Sequence, residues 1–257
     1  MTHRRFCGAT AVVTGGARGI GRACVERLSA EGADIVIVDI DRDAAEQVAG
    51  FVHESTGRVV HHMAVDVADP EAVGRLGSAI GEVLPSADVL VNAAGVTSRV
   101  PFLDMTVAEW DRVMNINLRG SFLVSQVFAR DMVERGAGAI VNLASVNAEV
   151  VRHPDHNVYT ASKAGIVGLT KAMAASLSPR GVRVNAVAPG PVGTELLAPR
   201  LAEPGGAKRL LRNVLLQRVC EPAEVAAAVA FLASHDAEYI TGTSLTIDGG
   251  LLVGAEA

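Results

Sequence analysis

The stretch TAVVTGGARGIGRACVERLSAEGADIVIVDID, Thr10 to Asp41, decides the fold. TAVV (Thr10–Val13) and DIVIV (Asp34–Val38) are unbroken apolar runs, as in strands covered on both faces of a parallel sheet. Gly19 to Glu31, between them, has helical spacing. The chain therefore leaves a strand at Gly15 and Gly16 and enters a helix through Gly19 and Gly21. The spacing G-x-x-x-G-x-G lets a backbone without Cβ atoms approach a pyrophosphate lying on free N–H groups of the helix start. Three glycines in a turn can equally serve tight geometry alone.

The second strand ends at Asp39, where an acid can accept hydrogen bonds from adenosine ribose hydroxyls and repel a 2′-phosphate. That favours NAD over NADP. Arg18 and Arg42 pull the other way, since either can pair with that phosphate, and Asp39 can instead cap the following helix.

Outward from this unit the pattern repeats. DVLV (Asp88–Val91), AIVNLA (Ala139–Ala144) and VRVNAVA (Val182–Ala188) read as further buried strands, GRVVHHMAV (Gly57–Val65) as a weaker one, and SLTIDGG near the end as a last one. Helical spacing covers Asp41–Glu54, Pro70–Val83, Val107–Arg135, Tyr159–Ser176 and Pro222–Ala233. Alternating units of this size predict an α/β fold, a doubly wound parallel sheet in a single domain over residues 1–257, with its ligand crevice at the carboxyl ends of the strands. Asp66 and Val67 after the third strand and Asn92-Ala93-Ala94-Gly95 after the fourth fall at that crevice. The one long irregular stretch starts at Pro189, holds four prolines and four glycines up to Gly206, and is expected to form a lid over about residues 189–213.

Composition excludes several classes. Lys and Arg total 23 against 28 Asp and Glu, a formal charge of -5, which argues against a nucleic-acid surface. Cys7, Cys24 and Cys220 are odd in number and lie far apart, so neither a disulfide scaffold nor a zinc ribbon is expected. The pairs His61/His62 and His153/His156 lack a third ligand at sensible spacing, and no metal is expected. No secretory signal and no apolar run of membrane-spanning length is visible, which predicts a cytoplasmic protein without a membrane partner.

Chemistry enters at YTASKAGIVGLTKAMA. Tyr159 and Lys163 are spaced i and i+4, on one helix face. A cation about 5 Å away, at an effective dielectric of about 20, favours the phenolate by roughly 3 kcal/mol and brings a tyrosine toward useful acid/base range. An ordinary amphipathic helix with an exposed lysine and a half-buried tyrosine gives the same spacing.

Together, Thr14-Gly15-Gly16-Ala17-Arg18-Gly19-Ile20-Gly21, Asn92-Ala93-Ala94-Gly95, Ser145, Tyr159-x-x-x-Lys163, Pro189-Gly190 and Asp248-Gly249-Gly250 resemble the short-chain dehydrogenase/reductase family over nearly the whole chain. The resemblance implies a Rossmann-type fold and an NAD(P)-dependent oxidoreductase. It implies Tyr159 as general acid/base, and Lys163 as holder of the nicotinamide ribose that also lowers the tyrosine pKa. It further implies Ser145 as donor to the substrate oxygen and Asn117, in MNINLRGS, as support for a proton-relay water. Val192 and Thr194 would meet the carboxamide side of nicotinamide; Asn142 and Asn185 are expected to be structural.

The substrate segment is where this chain departs from many relatives. VNAEVVRHPDHNV (146–158) is polar, and with Asn147 and Arg152 as candidate substrate contacts it suits a sugar, polyol or hydroxy acid. Reduction of a 3-oxoacyl thioester on acyl carrier protein with NADPH is the alternative, and a cofactor-binding protein without turnover a further one. The resemblance also implies a homotetramer, joined through the 107–135 and 159–176 helices and through the C-terminal region.

Overall fold

The computed structural model describes residues 4–84, 86–151 and 153–254. The first unit is β1 (Thr10–Thr14), α1 (Gly19–Ala30) and β2 (Asp34–Asp39), followed by α2 (Arg42–Thr56), β3 (Val60–Ala64), α3 (Pro70–Gly81) and β4 (Val89–Asn92). The second half runs α4 (Val107–Met114), a π-helical turn (Asn115–Arg119), α5 (Gly120–Arg135), β5 (Gly138–Leu143), α6 (Asn157–Leu177), β6 (Val182–Pro189), α7 (Ala198–Ala202), α8 (Gly206–Leu211), α9 (Pro222–Ala233) and β7 (Ser244–Ile247). All strand pairs are parallel, in the order β3-β2-β1-β4-β5-β6-β7. The order reverses between β1 and β4, so the strand ends open a crevice there, as in other doubly wound sheets.

Each face of the sheet packs its own core. Val13, Ile35, Ile37 and Val91 meet α1, α2 and α9 through Val25, Leu28, Val48 and Val229. Val12, Val36, Leu90 and Ile140 meet α3 and α5 through Leu76, Val124 and Met132. Residues alternating along one strand thus enter opposite layers, which is why these strands read as unbroken apolar runs. The edges differ: β3 and β7 are half-exposed, and β3 accordingly reads weakly.

Local chemistry sets the element ends. Asp41, not Asp39, caps α2, accepting from the Ala44 N–H at 3.1 Å, and Asp69 caps α3 ahead of Pro70. The Glu224 carboxylate accepts from the Glu221 N–H at 2.8 Å at the start of α9.

Two expectations are corrected. The segment 107–135 is not one helix: the π-helical turn separates α4 from α5 and carries the buried Asn117 inward. The stretch after Pro189 is not wholly irregular, since it contains α7 and α8. Among the described residues no helix is long and apolar enough to cross a membrane.

Candidate active site

At the carboxyl ends of the strands lies a cavity of about 520 Å³. Gly15, Arg18, Gly19, Ile20 and Gly21 line it beside α1, Asp39, Asp66 and Val67 at the β2 and β3 ends, and Ala93 and Gly95 after β4. Toward β5 and β6 the wall is Ser145, Asn147, Tyr159 and Lys163, with Pro189, Gly190, Val192 and Thr194 leading into the proposed lid. Residues from seven loops and helices therefore face one space.

The glycine turn is held from both sides. The Gly15 N–H donates to Val38 O at 2.8 Å, and the Thr14 hydroxyl accepts from the Ala93 and Ala94 N–H groups at 3.1 and 3.2 Å. Gly15 has φ +65°, and a Cβ on Gly21 would stand 2.0 Å from Gly15 O, so neither position admits a side chain without movement. α1 starts with no capping side chain and no acid in its first turn, and Gly19, Ile20 and Gly21 of that turn line the cavity.

Asp39 accepts from Ala17 N–H and Asp41 N–H, both at 3.0 Å, which fixes its carboxylate at the rim of the glycine turn. Arg18 pairs with Asp41 at 2.5 Å rather than standing alone at the ribose end. A dinucleotide fits this arrangement: a cradle that a Cβ would fill, uncapped helix donors for a pyrophosphate, and a fixed carboxylate for ribose hydroxyls.

At the other end, α6 presents Tyr159 and Lys163 on one face, with the ammonium 5.7 Å from the phenol ring centroid. Lys163 is buried, and its Nζ donates to Leu143 O at 2.7 Å. Burial pushes its pKa down to about 8. The expected lowering of the Tyr159 pKa does not dominate: burial pushes it up, and the hydrogen bond with Ser145 pulls in the opposite direction. Burial is the larger influence, and the Lys163 ammonium, which donates one hydrogen bond to the β5 carbonyl, lies 5.7 Å from the ring centroid. Ser145 in turn accepts from the Asn147 N–H at 3.2 Å, opening a 3₁₀ turn (Val146–Ala148).

Two candidates lie behind the wall. Asn92 is buried and donates to Ser125 Oγ and Asn142 Oδ1, both at 2.8 Å, so its side chain is turned away from the cavity and belongs with the structural Asn142. Asn117 clamps the backbone of Val96, accepting from its N–H at 2.8 Å and donating to its O at 3.0 Å and to Ser162 Oγ at 3.0 Å. Arg152 lies outside the described residues. Sequence reading missed Arg99 and Arg200 in the wall, and no spacing signals them. Among the described residues no cluster of three or more His, Cys, Asp or Glu could hold a metal.

Residues 15–252 match the family described as enoyl-(acyl carrier protein) reductase. The chain is 40% identical to the galactitol 2-dehydrogenase (L-tagatose-forming) of Cereibacter sphaeroides, over 97% of either chain. It is 36% identical to the 3-oxoacyl-[acyl-carrier-protein] reductase of Aquifex aeolicus, over 95% of this chain and 97% of that one. Among solved structures, a candidate NAD(P)-dependent gluconate 5-dehydrogenase of Beutenbergia cavernae with NADP bound at low occupancy superposes with a TM-score of 0.92 at 33% identity, covering 97% of this chain and 99% of that one. With the parallel sheet and the glycine cradle, these similarities establish that the chain belongs to the short-chain dehydrogenase/reductase family, nicotinamide-dependent enzymes that act on CH–OH donors.

Proposed function

We propose that the protein is an NAD-dependent dehydrogenase of a small polar secondary alcohol, with Tyr159 as its acid/base group. The observation that carries this reading is that Tyr159, Ser145 and Lys163 share one cavity with the glycine cradle and Asp39. Gly15, Gly19, Gly21 and the N–H of Ile20 hold the pyrophosphate, with Arg18 at its rim. Asp39 holds the adenosine ribose, and Asp66 and Val67 the adenine. Ala93 and Gly95 leave room for the nucleotide; Tyr159 and Lys163 hold the second ribose, and Pro189, Gly190, Val192 and Thr194 the carboxamide side. Bound NAD+ supplies the hydride acceptor.

The chain's own work is alignment and proton movement. As phenolate, Tyr159 takes the alcohol proton onto its hydroxyl oxygen, and the Ser145 hydroxyl donates to the substrate oxygen as charge develops there. Asn117 fixes the backbone beside Gly95, and Asn147, in the cavity wall, contacts substrate. The 189–213 segment acts as the lid. The galactitol dehydrogenase relative and the polar side chains of Asn147 and His156 in the wall support a polar alcohol.

The thioester-reductase reading is weaker on charge: Asp39 and Asp41 at the β2 end disfavour a 2′-phosphate, and an acidic carrier protein wants a basic surface, whereas the chain carries -5. NADH is therefore expected to bind at least about tenfold more tightly than NADPH, a difference of about 1.4 kcal/mol. Cofactor fluorescence titration reads this without a substrate; tighter NADPH binding would refute the Asp39 assignment.

The reading extends to a homotetramer working in the cytoplasm. Phe122 and Trp110 beside α6, and Tyr239 and Val253 in the C-terminal region, are exposed large apolar side chains on the two predicted faces. Light scattering should give about four chains per particle, and a monomeric mass at micromolar concentration would sink the assembly. Free thiols at Cys7, Cys24 and Cys220 are in keeping with a reducing compartment.

A further inference from the structure

Ser145, Asn147, His156 and Tyr159 form a closed ring of contacts at the reacting phenol. Ser145, which shares a hydrogen bond with Tyr159, accepts from the Asn147 N–H at 3.2 Å. The Asn147 side chain reaches on to His156, its Nδ2 lying 3.2 Å from the ring Nδ1. The His156 ring stands edge-on to Tyr159, with centroids 5.8 Å apart, and edge-on to His153 at 5.2 Å. Asn147, His156 and Tyr159 all line the cavity. Tyr159 and Ser145 are enough to serve the carbinol oxygen, so the acid/base step leaves the histidine without a task.

The partner of His156 fixes its tautomer. The residue is buried just ahead of α6, and burial lowers its pKa from the ordinary histidine value, so the ring is neutral near pH 7. An amide nitrogen can only donate; Nδ1 therefore accepts, and the single ring proton sits on Nε2. Among the described residues no protein group takes Nε2, and His156 faces the cavity. Once substrate displaces water there, this donor needs an oxygen, and a substrate that lacks one leaves it unpaired at a cost.

We propose that His156 sets substrate choice: its Nε2–H donates to a second oxygen of the substrate, on the carbon next to the carbinol held at Tyr159 and Ser145. Because the two rings are in contact, the oxygens they serve are neighbours, and the favoured substrate is a 1,2-diol that leaves as the hydroxyketone. The proposal rests on the dehydrogenase reading for the place of the carbinol.

The test uses alcohols that differ in one hydroxyl: propane-1,2-diol against propan-2-ol, and butane-2,3-diol against butan-2-ol. Turnover with NAD+ and binding to the NADH-loaded enzyme, read by cofactor fluorescence, are measured on all four. In at least one pair the diol should lead by at least about tenfold in kcat/KM. His156→Phe keeps a flat ring without a donor and should cut that lead below about threefold, while His156→Gln, whose amide keeps a donor, should restore part of it. Each lead is a ratio within one variant, so a general loss of activity does not disturb it. Nitrogen-15 NMR of the histidine rings, with the His156 signals identified by their absence from His156→Phe, should place the ring proton on Nε2. A wild type without the lead, a His156→Phe enzyme that keeps it in full, or a proton on Nδ1 overturns the proposal; turnover of the mono-alcohols would then leave the dehydrogenase reading standing. Tighter binding of the diols that His156→Phe abolishes, with turnover of none of the four, would remove that reading and keep the His156 contact.

Discussion

Tyr159→Phe is expected to lower the rate of hydride transfer by about 10⁴, the upper end for a general acid/base, while leaving NADH affinity within about threefold. The phenolic oxygen is assigned chiefly to the reacting alcohol, with Lys163 the principal holder of the second ribose, and among the described residues the neighbouring His156 is a poor replacement: it meets the ring edge-on and its pKa is pushed down by burial. Lys163→Ala should damage both quantities, since its Nζ is assigned to ribose hydroxyls as well as to the charge balance beside Tyr159. The pH dependence follows from the pair. Lys163 loses its proton near pH 8 in this burial, and Tyr159 alone would lose its own later. While it keeps its proton, the Lys163 ammonium favours the neighbouring phenolate against the burial that raises the Tyr159 pKa. Alcohol oxidation, which needs the phenolate, should therefore rise toward alkaline pH, and carbonyl reduction, which needs the phenol, should fall over the same range. In Lys163→Ala the limb should move upward, toward the raised tyrosine value. Stopped-flow absorbance and NADH fluorescence on both variants decide the matter; a Tyr159→Phe enzyme within about tenfold of wild type would refute its role.

Much of the scaffold is legible because its signals are local. Continuous apolar runs at Val12–Val13 and Ile35–Val38 demand cover on two faces, and Gly15 sits where φ is positive, a local backbone requirement a sequence can display. What escaped depends on chain segments meeting. The NINLR turn keeps helical spacing through its extra residue per turn, so nothing marks the π-helical break that carries Asn117 inward. α7 and α8 have five and six residues, too few to nucleate alone, and hold their form only against the rest of the molecule. The direction of the Tyr159 pKa depends on burial, and burial is a property of the assembled molecule rather than of the Tyr-x-x-x-Lys spacing. Arg99 and Arg200 are far apart in sequence and belong to no motif; only the meeting of the loop after β4 with α7 brings them to one wall.

Gly21→Ala is expected to raise the NADH dissociation constant by about 10²-fold and to lower stability by about 1–3 kcal/mol or more, through overpacking of the glycine turn. The methyl group would stand 2.0 Å from Gly15 O and 2.7 Å from Gly15 C, both backbone atoms that cannot rotate aside. Nor can Gly15 retreat freely. Its N–H is held by Val38 O, and its own missing Cβ would lie 2.7 Å from Ala94 Cα, so the turn is packed between α1 and the β4 end. Relief must come from displacing the start of α1, whose N–H groups are the ones assigned to the pyrophosphate. A cost in stability and a cost in cofactor binding should therefore arrive together. Gly50→Ala gives the matched control: Gly50 lies within α2 with nothing within 4 Å of its Cβ position, and there the same methyl group should stabilise by about 0.5–1 kcal/mol through the lower entropy of the unfolded chain. Thermal denaturation and fluorescence titration on the two variants separate a general effect of alanine from a local one. If Gly21→Ala melts with wild type and binds NADH as tightly, the turn has room that these distances deny, and the assignment of Gly15, Gly19 and Gly21 to the pyrophosphate falls with it.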